Sequence, residues 1–149
     1  MPNTAIDHKD SYSLVSNGIR VSVTPQALPE HSDQSRCVFA FAYTVLIENI
    51  SRESCQLLER HWVIHSGGTR MAEVVGPGVV GELPVLEPGH GFEYTSSAVI
   101  NDPVGAMEGE YLFQPIDRAI DRGADDAASR VAFKVAIPRF ELIYPITYH

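Results

Sequence analysis

Apolar residues along this chain recur at every second position far more often than at every third or fourth. Ile19, Val21 and Val23 alternate with polar partners between Gly18 and Pro25, the period of a strand with one buried face. After a polar loop at Pro29–Ser35, Val38 to Glu48 runs for about eleven positions in β-branched, aromatic and small apolar residues. Phe39, Phe41, Tyr43, Val45 and Ile47 share one face, and Val38, Ala40 and Ala42 share the other. This pattern predicts a central strand covered on its bulky side. Turn chemistry at Asn49–Ser54 precedes a third strand from Gln56 to His65, which stops at Gly67-Gly68.

A short strand around Met71–Val75 then enters GPGVVGELPVLEPG. Pro77, Pro84 and Pro88 exclude both a helix and a central strand there, so an irregular edge crossing is expected. Further strands are predicted from Phe92, over Met107–Phe113, over Val131–Ile137 and over Phe140–Ile143, with a turn at Asn101-Asp102-Pro103. No apolar stripe of helical period appears. The pattern therefore predicts an all-β domain of about seven strands, a two-sheet β-sandwich or open barrel spanning residues 18–145. Residues 1–17 read as a polar segment without pattern. Pro115–Arg130, with seven charged residues around Gly123, reads as a loosely packed, solvated loop.

Composition narrows the function classes. At 149 residues, 44% hydrophobic and 20% charged, the chain has the means to bury one core. Its net charge of −8 repels nucleic acid and anionic membranes. The N-terminus lacks the apolar run of a signal peptide, and no later stretch is long and apolar enough to span a bilayer, so a cytoplasmic protein is expected. Cys37 and Cys55 flank a strand of about eleven residues at ~3.3 Å each, too far apart for a bridge. Both are expected to be reduced, small buried hydrophobes.

Gly76-Pro77-Gly78-Val79-Val80-Gly81 matches the GxGxxG pattern of dinucleotide-binding folds, but Pro77 removes a donor and Pro84 forbids the helix such folds require. What remains is a structural turn or, as the alternative, a backbone nest for a small anion such as pyrophosphate or a nucleotide. Arg60, on the same strand face as Trp62 and Ile64, must find a carbonyl or carboxylate or lie at the sandwich edge. It is the second candidate ligand contact. Trp62 reads as a core anchor. His61 and His65 point to the opposite face some ~13 Å apart along a strand, too distant to share a metal. No nucleophile elbow, phosphate loop or family-specific Cys and His spacing is present, and neither catalysis nor a cofactor is expected.

Several segments occur in an order that resembles the ApaG family: YTVLIEN at 43–49, QLLERHW at 56–62, GPGVVGE at 76–82, Pro88-Gly89, FEYTS at 92–96 and MEGEY at 107–111. The resemblance implies an immunoglobulin or fibronectin type III-like sandwich. Its bacterial members carry a name that ties them to cobalt and magnesium efflux. Related domains at the C-termini of some F-box proteins and of a DNA-polymerase-delta-interacting protein imply a protein-binding module. The glycine motif has been taken in the family as a pyrophosphate or nucleotide contact. This chain departs from the family at Ser97, where glycine is usual, and in the length of the segment before its last strand.

Overall fold

The computed structural model describes residues 11–116 and 131–146. Among the described residues nine strands form two antiparallel sheets. The first contains β1 (Tyr12–Ser16), β2 (Ile19–Ala27), β3 (Phe39–Asn49) and β7 (Gly91–Ile100), ordered β1-β2-β3-β7. The second contains β5 (Thr69–Pro77), β4 (Ser54–Ser66), β8 (Val104–Ile116) and β9 (Phe133–Ile143), ordered β5-β4-β8-β9, with the two-residue β6 (Val85–Leu86) also on β4. The all-β sandwich expected from alternation is thus the fold. Among the described residues only two single 3-10 turns, Pro29–His31 and Gln34–Arg36, are helical. Of the loop expected at Pro115–Arg130, Pro115 and Ile116 instead end the strand β8, and residues 117–130 lie outside the described residues.

The strand count differs from about seven for three reasons. β1 occupies part of the segment read as patternless, and is joined to β2 by Asn17 and Gly18 with φ of 50° and 79°. Both dihedrals are positive, as a two-residue type I′ hairpin requires. The last two predicted strands are one strand, because the pairing shifts register between Met107 and Gly109 and absorbs Pro138 and Arg139 as a bulge. β6 is the additional short element.

Between the sheets lies an aromatic core. Phe39, Phe41, Tyr43, Val45 and Ile47 all face inward, as their alternation predicts. Trp62 is 3% exposed, with its ring centroid 5.3 Å from Tyr43 and 5.9 Å from Phe140. Buried Asn49 saturates its amide: Nδ2 donates to the carbonyls of Glu53 and Leu86, and Oδ1 accepts from the Ser51 N–H and hydroxyl. One side chain thereby fixes both the β3–β4 turn and β6.

One side of the sandwich is sealed. Ser16 Oγ accepts from the Ala136 N–H, Tyr12 OH accepts from the Glu141 N–H, and Asn17 Nδ2 donates to the Lys134 carbonyl, so β1 is stitched to β9. The free edges are those of β5 and β7, at the other ends of the two sheets.

The cysteines part company. Cys55 is 3% exposed, and burial pushes its thiol up to about 11. Cys37, expected to be buried, is exposed, because it terminates a 3-10 turn in the left-handed region at φ 58° instead of opening β3. In the native protein at pH 8, Ellman's reagent should titrate one thiol rapidly, and the second only in denaturant. Two fast thiols would contradict this burial.

Candidate functional site

The candidate residues converge where β4 bends. The β4–β8 pairing shifts register between Leu57 and Glu59, which makes Leu58 an extra, bulged residue. A bulge reverses the facing of everything after it. Cys55 and Leu57 point inward before it, and Arg60 and Trp62 point inward after it. The strand therefore carries an arginine on its core face beside the tryptophan.

Arg60 meets its need for acceptors with backbone carbonyls. Nη1 donates to Pro77 O at 2.9 Å and to Gly78 O at 3.1 Å. Its cation also acts on the buried phenols of Tyr43, Tyr94 and Tyr111, but desolvation outweighs it and all three are raised above the ordinary tyrosine value. The Tyr94 and Tyr111 hydroxyls hydrogen-bond each other at 2.6 Å.

Each glycine of the motif has a separate reason to be glycine. Gly76 faces Arg60 across the β4–β5 pair, and a Cβ there would lie 3.2 Å from the guanidinium nitrogens. Gly78 has φ 62°, and a Cβ would meet the Glu82 carbonyl oxygen at an impossible 2.1 Å. Gly81 has φ 80° but open space around it. With Val80 at φ 42°, Gly81 forms a tight turn closed by Val79 N–H to Glu82 O at 2.9 Å and Glu82 N–H to Val79 O at 2.8 Å. Val79, fully buried, anchors this turn to the core, while Val80 stands 55% exposed at its tip.

This geometry spends most of what an anion would need. The Gly78 N–H already donates to the Leu58 carbonyl at 2.9 Å, and that of Val79 closes the turn. Of the loop's donors from 78 to 81, those of Val80 and Gly81 remain. Arg60 is held against carbonyl oxygens.

The outer face of the second sheet carries the two histidines. His61 Nε2 meets Glu73 at 2.5 Å, with Glu110 3.9 Å from Nδ1, and His65 Nε2 meets Glu108 at 2.8 Å. The His65 hydrogen bond, aided by Arg139, holds the Glu108 carboxyl below its usual range. Each histidine thus has its own carboxylate partners. Among the described residues no group of three or more His, Cys, Asp or Glu is placed to hold a metal ion.

The short strand expected around Met71–Val75 is β5, longer than expected and the most exposed element near this loop, an exposure that sequence reasoning missed. β5 is flanked by β4 on one side only, and of its nine residues just Ala72 and Gly76 are even partly buried. Met71, Val74 and Val75 are exposed on it, and Val80, Leu83 and Val85 continue the series along the same margin of β4. These six are nearly half of the thirteen large apolar residues exposed among the described residues, so the exposure is concentrated and not scattered. Two adjacent valines suggest burial in a sequence, and only the topology shows that they lie on an edge. No helix among the described residues is long and apolar enough to cross a membrane.

The ApaG domain matches over residues 29–115. The protein ApaG of Methylocella silvestris is 41% identical over 134 residues, covering 90% of this chain and 94% of that protein. The protein ApaG of Bordetella pertussis is 40% identical, covering 88% and 91%. A crystal structure of a Bordetella pertussis protein named ApaA is similar with a TM-score of 0.74 at 40% identity, over 87% of this chain and 95% of that one. Likeness in sequence along most of the chain, joined to the same sandwich in a solved relative, means that this chain belongs to the ApaG family.

Proposed function

We propose that this chain is a protein-binding module with no catalysis of its own, which takes an extended segment of a partner as an added strand on the free edge of β5. The observation that supports this reading is the edge itself. Folded proteins shield long edge strands with inward charges, prolines or covering loops, because unpaired N–H and C=O groups recruit other chains. Here the only proline of β5 is Pro77 at its very end. The charges of the strand are turned to each other, with Arg70 3.7 Å from Glu73 and Glu73 against His61. What is offered is open backbone flanked by Met71, Val74 and Val75, the combination used in strand addition.

The test is Val75→Lys. Val75 is 65% exposed, so its replacement should leave stability within about 0.5 kcal/mol. A partner purified with the wild-type protein from its native extract should bind this variant at least about tenfold more weakly, a loss of about 1.4 kcal/mol. Undiminished binding would contradict the reading, as would a pure preparation that turned over substrate with no protein partner.

A further inference from the structure

The outer face beside β5 indicates which side chain the added strand brings. On β4, Glu59 points outward, opposite Pro77 of β5, and is exposed. Its neighbours His61, Glu73, Glu108 and Glu110 are all in ion pairs, whereas Glu59 is in none among the described residues. It borders a depression of about 170 Å³ whose walls include Val75, Glu110 and Lys134. Val75, which faces His61, and Glu59, which faces Pro77, thus border one depression, with one cross-strand pair between them.

The depression also holds two cations, but Arg60 is engaged by backbone carbonyls and Lys134 by Glu110, and the chain segment around β5 is acidic. From Thr69 to Glu93 the chain holds Arg70 against Glu73, Glu82, Glu87 and Glu93, a net of −3 with histidine neutral. The whole chain carries −8, which disfavours a second copy of itself as the occupant. From a position opposite Val75 on a strand added to β5, Glu59 lies two strand spacings across and two residues along, roughly 12 Å between backbones. A lysine or arginine and the glutamate side chain together span that distance, and the aliphatic stem packs on apolar surface while its head stays polar.

Resting on the strand-addition reading, we propose that the partner segment is basic. It places a lysine or arginine opposite Val75, with the stem lying over that valine and the cation meeting Glu59 at the depression. Hydrophobic contact at Val75 and charge at Glu59 then select an extended segment alternating apolar and basic residues. Acidic or neutral edges are turned away.

Three synthetic peptides that alternate valine with lysine, serine or glutamate separate the outcomes, with binding read by fluorescence anisotropy and by amide shifts. The lysine peptide should bind best, perturb residues 69–77, weaken as salt is added, and lose about fivefold in affinity on Glu59→Gln. Serine or glutamate peptides bound at β5 as tightly as the lysine peptide would overturn the basic preference and leave strand addition standing. Lysine-peptide affinity unchanged by Glu59→Gln would also overturn it. Failure of all three peptides to perturb β5 would count against strand addition itself, and against this proposal with it.

Discussion

Gly78→Ala should be among the most damaging single methyl additions in this protein, costing about 3 kcal/mol or more of folding stability. A left-handed φ alone costs a residue with a Cβ roughly 1–2 kcal/mol. At Gly78 the added carbon would also stand 2.1 Å from the Glu82 carbonyl oxygen, which is backbone and held in the turn. Gly81→Ala carries the φ penalty with no neighbour within 4 Å, so about 1 kcal/mol is expected. Chemical denaturation midpoints check the order. Equal and negligible losses at both sites, with a pyrophosphate affinity of the parent abolished in each variant, would instead favour the anion-binding alternative for this loop.

Asn49→Asp tests the other buried hinge of the fold. The amide nitrogen that donates to Glu53 O and Leu86 O becomes an oxygen facing two oxygens. Loss of two buried hydrogen bonds, with a carboxylate left in their place, should cost about 3 kcal/mol at pH 7. Burial and the two carbonyls disfavour the ionised form, so the folded-state pKa of the new acid rises above its unfolded ~3.9. The folded state then binds the proton more tightly. The deficit is smallest below the unfolded value and grows as pH rises through the window up to the folded value. Denaturation of both proteins between pH 4 and 7 should show the difference widening. A difference that narrowed with rising pH would contradict the hydrogen-bond assignment.

What could be read from the sequence, and what could not, follows from how local each signal is. The inward row of β3 was legible because strict alternation has one physical meaning in a chain with a single core. β1 has a local signal at its end, since Asn17-Gly18 is a strong mark of a two-residue hairpin. The strand before it buries little, with Leu14 and Val15 both exposed, so the alternation that revealed its neighbours is missing. The inward direction of Arg60 was legible relative to Trp62. The bulge at Leu58 that sets it was not, because a bulge depends on the facing strand β8. The same holds for Pro138, which reads as a break but is absorbed within β9.

The glycine motif shows the distinction most clearly. Its composition announced a backbone with unusual dihedrals, and Gly78 and Gly81 have them. Gly76 has no positive φ, and its reason for being glycine is the Arg60 guanidinium lying across it. That pairing joins residues on different strands. The openness of β5 was equally beyond local pattern, since Val74-Val75 in a central strand would be buried on both faces.

Amide hydrogen exchange on the isolated protein and on its complex with the partner tests strand addition most directly. Edge amides of β5 that point away from β4 have no acceptor in the free chain and should exchange rapidly. On partner binding, new protection should appear in alternate amides along residues 69–77 and stay absent from the turn at 79–82. Protection centred on that turn, or on β1 and β9 at the sealed side, with β5 unchanged, would contradict it.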